Sequence, residues 1–444
     1  MKHSIYLLCS VLLIGCGGGG GGGETSADAT VIEEAVFDLG PAGGIATVAY
    51  SESNNFLQFV PELDIADYHG ASQGRELFIA TWSAAPGDRD LLDGFGPLAI
   101  TASCANCHEP SARAESLKSD GSTGNGILFR LRDKDGNPDP LMGPQLQTFA
   151  EDGVPEGAVT WSEGSAKEVL FHLNDNVNAL GEGVKLAPRL SPQLVGMGLL
   201  DLVPESVILE YEDSNDTDMD GISGRANQQG ECIGRFGWKA IHCSLKGQVA
   251  GAFNEDMGLT TSINPAEPCT DNQGICALYP SGGEPEVSDN SLEAINDFLT
   301  ILAVPERRID DESLFLKGKV VFESIGCNAC HRETLSTGEV DRFPILSNQV
   351  FYPYTDLLLH DMGSDLSDGA KEAGAEPAEW RTPPLWGLGL IEGDGKSRFL
   401  HDGRATDITT AILWHGGEAE ASKDAYVELS DEDKNALLSF LRSI

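Results

Sequence analysis

Apolar residues recur at helical spacing in two segments of the chain, one at its C-terminus and one upstream of Pro305. The C-terminal face consists of Leu437, Phe440, Leu441 and Ile444. The upstream face consists of Leu292, Ile295, Leu299 and Leu302. Each helix has a polar start, at Ser430 with Asp433 and near Asp289, and the proline ends the upstream one. The pattern predicts two amphipathic helices and places a unit boundary near residue 305.

Two further segments share the pattern Gly-x-x-x-Phe, one beginning at Gly74 and one at Gly318. The second leads closely to Cys327, whereas a Gly- and Pro-rich insertion separates the first from Cys104. Residues 110–285 combine many Gly and Pro residues with short apolar runs, which predicts loops, short helices and a few strands. We therefore expect two unequal units, of which the first carries a long insertion.

The first 35 residues predict export and a membrane anchor. A short basic start precedes an apolar stretch that is too short to span a bilayer and that ends in Leu-Ile-Gly-Cys at Cys16. Because this ending resembles a bacterial lipobox, we expect a signal peptide over residues 1–15 and lipidation at Cys16. The following glycine run predicts a flexible tether over residues 16–35. The expected location is the periplasmic side of a bacterial membrane, with Gly17 favouring the outer membrane. An ordinary secretory signal is the alternative.

The charge of the 444-residue chain excludes some partners. It has 29 Lys and Arg against 70 Asp and Glu, a formal net charge of −41. Such a chain repels phosphate, which argues against nucleic acid as a partner and against docking on anionic lipid through a basic patch. Hydrophobic residues still make up 41% of the chain, enough for a packed core.

Two short motifs indicate the chemistry. Cys104, Cys107 and His108 form one C-x-x-C-H sequence, and a second consists of Cys327, Cys330 and His331. This pattern is the signature of c-type haem attachment, because the two thiols reach the two vinyl groups of one porphyrin and the adjacent His then lies under the iron. We expect two covalently bound haems. A redox dithiol or half of a zinc site is the alternative, but no second ligand pair lies near either motif.

Four other cysteines predict disulfides, because an even remainder is usual in an exported protein. They are Cys232, Cys243, Cys269 and Cys276. Loop closure favours pairing each cysteine with its nearest neighbour in sequence. Three pairings are possible, and the sequence leaves them open.

Both Gly-x-x-x-Phe segments resemble the first helix of a cytochrome c fold, and the C-terminal helix resembles the one that packs across it. The resemblance implies a mainly α fold with two cytochrome c-like haem domains. The first covers residues 36–304 and contains the loop-rich insertion with a few short strands. The second covers residues 305–444.

A closer resemblance covers most of residues 70–444. The chain resembles the di-haem oxidoreductase family, often labelled predicted thiol oxidoreductase, which is related to bacterial di-haem cytochrome c peroxidases. The matching motifs lie at residues 190–192, 196–200, 220–227, 234–240, 256–258, 353–363 and 379–387. A T-P-x-L segment at Thr382, followed by F-x-H-D-G around His401, is similar to the second half of the peroxidases.

The resemblance implies a ligand for the second haem. In the related peroxidases, the residue 14 positions after the H-D-G histidine binds the electron-transfer haem, and that position is His415 here, where the peroxidases usually have Met. His415 stands at the end of an expected apolar-faced helix that begins at Asp407. Met362 is the alternative ligand, and His360 or His401 could instead bind a haem propionate.

The first haem has no clear sixth ligand in the sequence. Met142, His172 and Met257 are candidates, although each suits a core or surface position as well. Trp238 and Trp386 suit either an electron relay between the haems or packing against a porphyrin.

An acidic loop contains the start of a calcium-binding pattern. Asp216, Asp218 and Asp220 are followed by Gly221, but Asn227 stands where the closing Glu of an EF-hand would be. The di-haem peroxidases often hold calcium between their domains, so a looser calcium loop is one interpretation and a solvated acidic turn is the other.

The leading hypothesis is an oxidoreductase of peroxidase type. The C-terminal haem would accept electrons from a small redox protein or a quinone-linked donor, and the N-terminal haem on His108 would meet a small oxidant such as peroxide. The alternative is a non-catalytic di-haem electron-transfer protein, which could be accessory to iron uptake.

Overall fold

The computed structural model describes residues 40–51, 56–87, 92–109, 113–150, 154–174, 179–395 and 398–444. The expected signal peptide, the lipidation site Cys16 and the tether lie outside these residues. Gly40–Ile444 forms one compact unit, and the division at residue 305 stays a prediction. None of the helices in the described ranges combines the length and the apolar character needed to cross a bilayer.

The fold is mainly α with small two-stranded sheets. The helices are α1 Ile65–Ile79, α2 Cys104–Cys107, α3 Met197–Asp201, α4 Glu205–Leu209, α5 Leu245–Met257, α6 Asp289–Thr300, α7 Glu312–Ser324, α8 Leu388–Gly393, α9 Ile408–Leu413, α10 Glu420–Glu428 and α11 Asp431–Ser443. Short 3-10 turns lie at Gly44–Ala46, Cys276–Leu278, Cys327–Ala329, Pro344–Leu346 and Gly417–Ala419. The two predicted amphipathic helices are confirmed as α6 and α11, and the Ser430 hydroxyl caps the latter by accepting from Asp433 N.

The strands are β1 Thr47–Val48, β2 Ile127–Arg132, β3 Val159–Glu163, β4 Val169–Leu173, β5 Lys185–Leu190, β6 Asn227–Gln229, β7 Cys232–Gly234, β8 Val304–Pro305, β9 Leu335–Ser336, β10 Val350–Phe351, β11 Leu359–Asp361 and β12 Glu379–Arg381. β1 runs parallel to β8, which ties the start of the described chain to its middle. The antiparallel pairs are β2 with β5, β3 with β4, β6 with β7, β9 with β10 and β11 with β12.

The insertion of the first half has its own small core. This core lies on the β2–β5 and β3–β4 pairs, and its buried members are Leu117, Ile127, Phe129, Leu131, Met142, Leu146 and Val159. Two disulfides close loops further along, one joining Cys232 to Cys243 and the other joining Cys269 to Cys276. The loops, short strands and short helices predicted for this stretch are therefore present.

Two helix crossings repeat the same contacts. α1 crosses α6 and α7 crosses α11, each at a glycine without a side chain between the two backbones. A Cβ at Gly74 would overlap the carbonyl of Ala294, and one at Gly318 would overlap the carbonyl of Ala436. One turn along, the Phe78 and Phe298 rings lie 5.3 Å apart. The aromatic pair of the second crossing, Phe322 with Phe440, has the same spacing.

A third helix joins each crossing in the same way. α3 and α8 are both preceded by a glycine with positive φ, 68° at Gly196 and 72° at Gly387. A Cβ on Gly198, the second residue of α3, would overlap the backbone of α6 at Thr300. A Cβ on Gly389, the second residue of α8, would overlap the backbone of α11 at Arg442. The described chain therefore contains two copies of one three-helix arrangement.

The crossing at Gly74 yields a stability prediction. We expect Gly74→Ala to lower the free energy of unfolding by about 1–3 kcal/mol or more, because the added methyl group forces α1 away from α6. Thermal unfolding of the purified protein measures the change. Gly70→Ala is the matched control on the same helix, since its nearest neighbouring atom would lie 3.9 Å away. We expect this control to be neutral or stabilising by up to about 1 kcal/mol, and equal losses for both variants would contradict the proposed close packing.

Candidate haem cavities

The first candidate cavity is built around His108, which ends the short helix α2. The ring Nδ1 lies 2.9 Å from the Pro192 carbonyl oxygen, which can only accept, so Nδ1 carries the proton and Nε2 keeps its lone pair. Burial lowers the pKa of His108 to about 4, so the imidazole is neutral. Cys107 and His108 line a cavity of about 180 Å³, and the thiols of Cys104 and Cys107 are not joined to each other.

The second cavity, of about 200 Å³, has two such histidines. His331 follows the turn Cys327–Ala329, and its Nδ1 lies 2.9 Å from the Tyr354 carbonyl oxygen. His415 lies just beyond α9, and its Nδ1 is 2.8 Å from the carbonyl oxygen of Ala411 one turn back. Burial lowers the pKa of both imidazoles, that of His331 to about 4. Both rings therefore offer an unprotonated Nε2 and line the same cavity.

Each cavity fits a flat, largely apolar group that carries carboxylates. The apolar lining of the second includes Phe322, Leu388, Phe399, Ile412, Leu437 and Leu441. Arg113 and Arg381 line both cavities. Both guanidinium groups are buried, which lowers the pKa of each to about 10 although the charges of Asp394 and Asp356 act in the opposite direction. Each donates to backbone carbonyls, and neither has a carboxylate of another described residue within 4 Å. An unpaired buried cation is costly, so the propionates of a haem would suit this wall.

The wall between the cavities also contains an indole. Trp238 lines both cavities, and its Nε1 donates to the Leu190 carbonyl at 2.7 Å. Trp386 lies elsewhere, because its ring packs against Phe351 with centroids 5.9 Å apart. Of the two tryptophans noted in the sequence, Trp238 is therefore the one that stands where a path between two haems would pass.

His360 is held as an imidazolium. Its Nε2 lies 2.9 Å from a carboxylate oxygen of Asp356, and its Nδ1 lies 2.7 Å from one of Glu418. Burial alone would lower the pKa of His360, but its hydrogen bonds with Asp356, the Cys330 thiol and Glu418 raise it to about 12. Neither ring nitrogen has a lone pair left for iron, so Met362, which lines the second cavity, is the remaining alternative to His415.

His401 lies on the ring of Trp380 rather than free in the cavity. The two ring centroids are 3.7 Å apart and the planes differ by 12°. Burial holds the pKa of His401 well below its usual range, with the charges of Arg189 and Arg404 adding to the effect. The ring is thus a neutral, stacked part of the cavity wall.

None of the three residues considered in the sequence as a sixth ligand of the first haem lines the first cavity. Met142 belongs to the core of the insertion, His172 binds the hydroxyl of Ser162 on a strand, and Met257 is buried outside the described lining. Four residues that line this cavity were missed: Met197, Gln248, Ala252 and Asp256. The repeated Phe-x-[Trp/His] pattern at Phe236 and Phe399 is the signal that could have found the last three, because the same spacing aligns Ala252 with His415.

The acidic loop gathers its three carboxylates. Oxygen atoms of Asp216, Asp218 and Asp220 lie within 4.8 Å of one another. Asp213 supports the loop by accepting from Thr217 N at 2.7 Å. The arrangement is compatible with a cation and equally with a hydrogen-bonded turn.

Two adjoining cavities, each with a histidine that offers Nε2 beside two free thiols, define a protein that holds two haems. The family model described as "Di-haem oxidoreductase, putative peroxidase" matches residues 165–444. The chain belongs to this di-haem oxidoreductase family. Among solved structures, the hydrazine synthase of Kuenenia stuttgartiensis, studied under 20 bar of xenon, is similar with 12% identity and a TM-score of 0.35, over 90% of this chain and 97% of that one. No match was found among curated proteins.

The arrangement at His415 predicts a spectroscopic outcome. We expect His415→Ala to turn one low-spin haem into a high-spin one, because the iron that His331 would hold then lacks the second ligand that His415 would supply. His415→Met should instead keep that haem low-spin and raise its reduction potential, since thioether ligation favours the ferrous state. Electron paramagnetic resonance and a redox titration measure both effects. His172→Ala, on an exposed strand, is the control. If His415→Ala left every low-spin signal unchanged, Met362 would become the ligand.

Proposed function

We propose that the protein is a periplasmic, lipid-anchored di-haem c-type oxidoreductase that reduces peroxide. The observation that carries the proposal is an asymmetry between the two cavities. Four histidines line the second cavity, of which His331 and His415 bond a backbone carbonyl through Nδ1 and so offer Nε2, whereas the first contains only His108 among its described lining residues. A haem with two strong protein ligands suits electron transfer, and one with a single ligand suits binding of a small molecule.

Each half would hold one haem with its own cysteines and histidines. Cys104 and Cys107 would attach one haem, and Cys327 and Cys330 the other. Haem supplies one-electron chemistry at its iron when it is bound. His331 and His415 would hold the iron of the half that takes in electrons, and His108 would hold that of the half that meets the oxidant.

The common wall supports electron passage from the second half to the first. Trp238 lies on this wall, and the backbone of Arg381 donates to the Trp238 carbonyl at 2.9 Å, so the relative position of the two cavities is fixed. Reducing one peroxide molecule to two water molecules takes two electrons and two protons. A small redox protein or a quinone-linked donor would supply the electrons one at a time, and the net charge of −41 favours a donor with a basic surface.

The resting spectrum and the reaction with peroxide test this proposal together. We expect one high-spin and one low-spin haem, both retained by the chain after acid-acetone extraction. Adding hydrogen peroxide to the reduced protein should oxidise both haems within one turnover. Two low-spin haems that do not react with peroxide would instead support the electron-transfer protein, and loss of colour on extraction would contradict covalent attachment.

We also propose that the acidic loop binds calcium. The support is the closeness of the carboxylates of Asp216, Asp218 and Asp220, since hard oxygen ligands are those that calcium prefers. We expect chelation to lower the thermal stability of the protein, because an ion that binds only the folded state stabilises it. Adding back calcium should restore the loss. Asp218→Asn with Asp220→Asn should behave like the chelated wild type, and an unchanged unfolding temperature in all these samples would contradict calcium binding.

We also propose, from the sequence alone, that a lipid on Cys16 anchors the protein to a membrane. Its support is the lipobox-like ending at Cys16 and the glycine run behind it. Fractionation of cells that express Cys16→Ser tests the idea, since the variant should leave the membrane fraction.

A further inference from the structure

A second segment also occurs once in each half of the molecule. Each residue of the first copy corresponds to the residue 163 positions later, as Phe236 corresponds to Phe399. Phe236 bridges to His242, and Phe399 bridges in the same antiparallel manner to Ala405. Two residues after each of these bridges a polar side chain caps a helix. Ser244 accepts from Gly247 N at the start of α5, and Asp407 accepts from Thr410 N at the start of α9.

Reciprocal hydrogen bonds between the halves support the same equivalence. Leu190 N donates to the His401 carbonyl at 2.7 Å, and Arg381 N donates to the Trp238 carbonyl at 2.9 Å. Trp238 and His401 are themselves 163 residues apart. Leu190 and Arg381 are equivalent as well. Ser-Pro follows Leu190 and leads to α3, and Thr-Pro follows Arg381 and leads to α8. Each half thus binds its counterpart through the same two positions.

The equivalent helices present matching faces to the two cavities. The residues of the α5 face that line the first cavity are Leu245, Gln248, Ala252 and Asp256. At the constant spacing, the corresponding residues that line the second cavity are Ile408, Ala411, His415 and Ala419. All four positions of α5 therefore have a counterpart that lines the second cavity, although that cavity is also lined by Ile412, whose counterpart Val249 does not line the first. α5 thus covers the first cavity much as α9 and the residues after it cover the second. Ala252 stands where the second half has His415.

We propose that Ala252 leaves the second axial position of the haem held by His108 open, and that the side-chain amide of Gln248 hydrogen-bonds the small polar ligand that binds there. The inference rests on the proposed function, because it assumes haem on His108. It names a positioning residue for that site and limits the ligand to a small molecule with oxygen or another polar atom, of which a hydroperoxide is one.

Gln248 has the chemistry that this role requires. It lies one helical turn before Ala252, its Oε1 is buried, and that atom has no hydrogen-bond partner in the described part of the chain. A buried amide oxygen without a partner is costly unless a bound molecule satisfies it. The second half has Ala411 at this position, so the polar group is present only where the axial histidine is missing.

Two other residues of the first cavity are weaker candidates. Met197 could supply a thioether, but its counterpart in the second half is Leu388, which lines that cavity without any capacity to bind iron. Asp256 is already engaged, since one of its carboxylate oxygens accepts from Gln145 Nε2 at 2.9 Å. Neither residue is therefore as well suited as Gln248 to bind a small ligand beside Ala252.

The first test adds the missing ligand. Ala252→His should convert the high-spin haem into a second low-spin haem, because the new imidazole occupies the position that His415 occupies in the other half. Lys246→His, on the same helix but outside the described lining of the cavity, is the matched control and should leave the spin state unchanged. The readouts are electron paramagnetic resonance and the optical spectrum of the resting protein with both haems attached.

The outcomes separate this inference from the function on which it rests. If the wild type shows no high-spin haem, the proposed function fails, and Met197→Leu then tells whether Met197 is the ligand. If the wild type has a high-spin haem and Ala252→His, with both haems retained, does not change it, only the placement of Ala252 is wrong.

The second test removes the polar group and does not depend on the first variant folding. Gln248→Leu keeps the approximate size of the side chain but not its amide. We expect fluoride binding to the ferric protein to weaken about five-fold, the equivalent of one lost hydrogen bond from the amide Nε2, because fluoride carries no hydrogen and can only accept. Carbon monoxide binding to the ferrous protein should stay within about two-fold, because this ligand needs little polar support. Equal loss for both ligands would show a general distortion and overturn the role of Gln248, as would unchanged fluoride binding.

Discussion

A hydrogen bond from ring Nδ1 to a backbone carbonyl holds His108, His331 and His415, the three histidines suited to bind haem iron, and the site depends on it. Because the carbonyl can only accept, the proton is fixed on Nδ1 and the lone pair on Nε2. The carbonyls of Pro192 and Tyr354 lie far along the chain from the histidines they hold. The position of each imidazole therefore depends on a residue outside its own motif, Pro192 for His108 and Tyr354 for His331.

The sequence predicted the parts of the site that local spacing encodes. The C-x-x-C-H motifs, the amphipathic helices α6 and α11 and the glycine crossings all follow from short patterns. The partners of His108 and His331 could not be predicted, because the carbonyls of Pro192 and Tyr354 lie 84 and 23 residues away along the chain. Nor could the state of His360, since its imidazolium depends on Asp356 and Glu418 meeting around one ring. The equivalence of α5 and α9 could be recognised only from the structure, because the sequence repeat is weak and the hydrogen bonds between the halves support it.

The repeated scaffold explains how one architecture can support two different metal environments. The glycine crossings, the third helix of each half and the reciprocal bonds at Trp238 and His401 are common to both halves. The two environments differ most directly on one helix face, where Ala252 and Gln248 stand against His415 and Ala411. A change of function after duplication thus needs few substitutions, because the backbone that places them is shared.

Arg113 and Arg381 have a consequence for the stability of the fold without haem. Without haem, both guanidinium charges are buried with no described carboxylate in contact, which disfavours the closed structure. Attachment of the cofactors brings the missing negative charges, so the loaded chain gains stability that the empty one lacks. Haem binding and closure of the fold are therefore coupled, because the two buried guanidinium charges favour the closed structure only when negative groups of the cofactor lie against them.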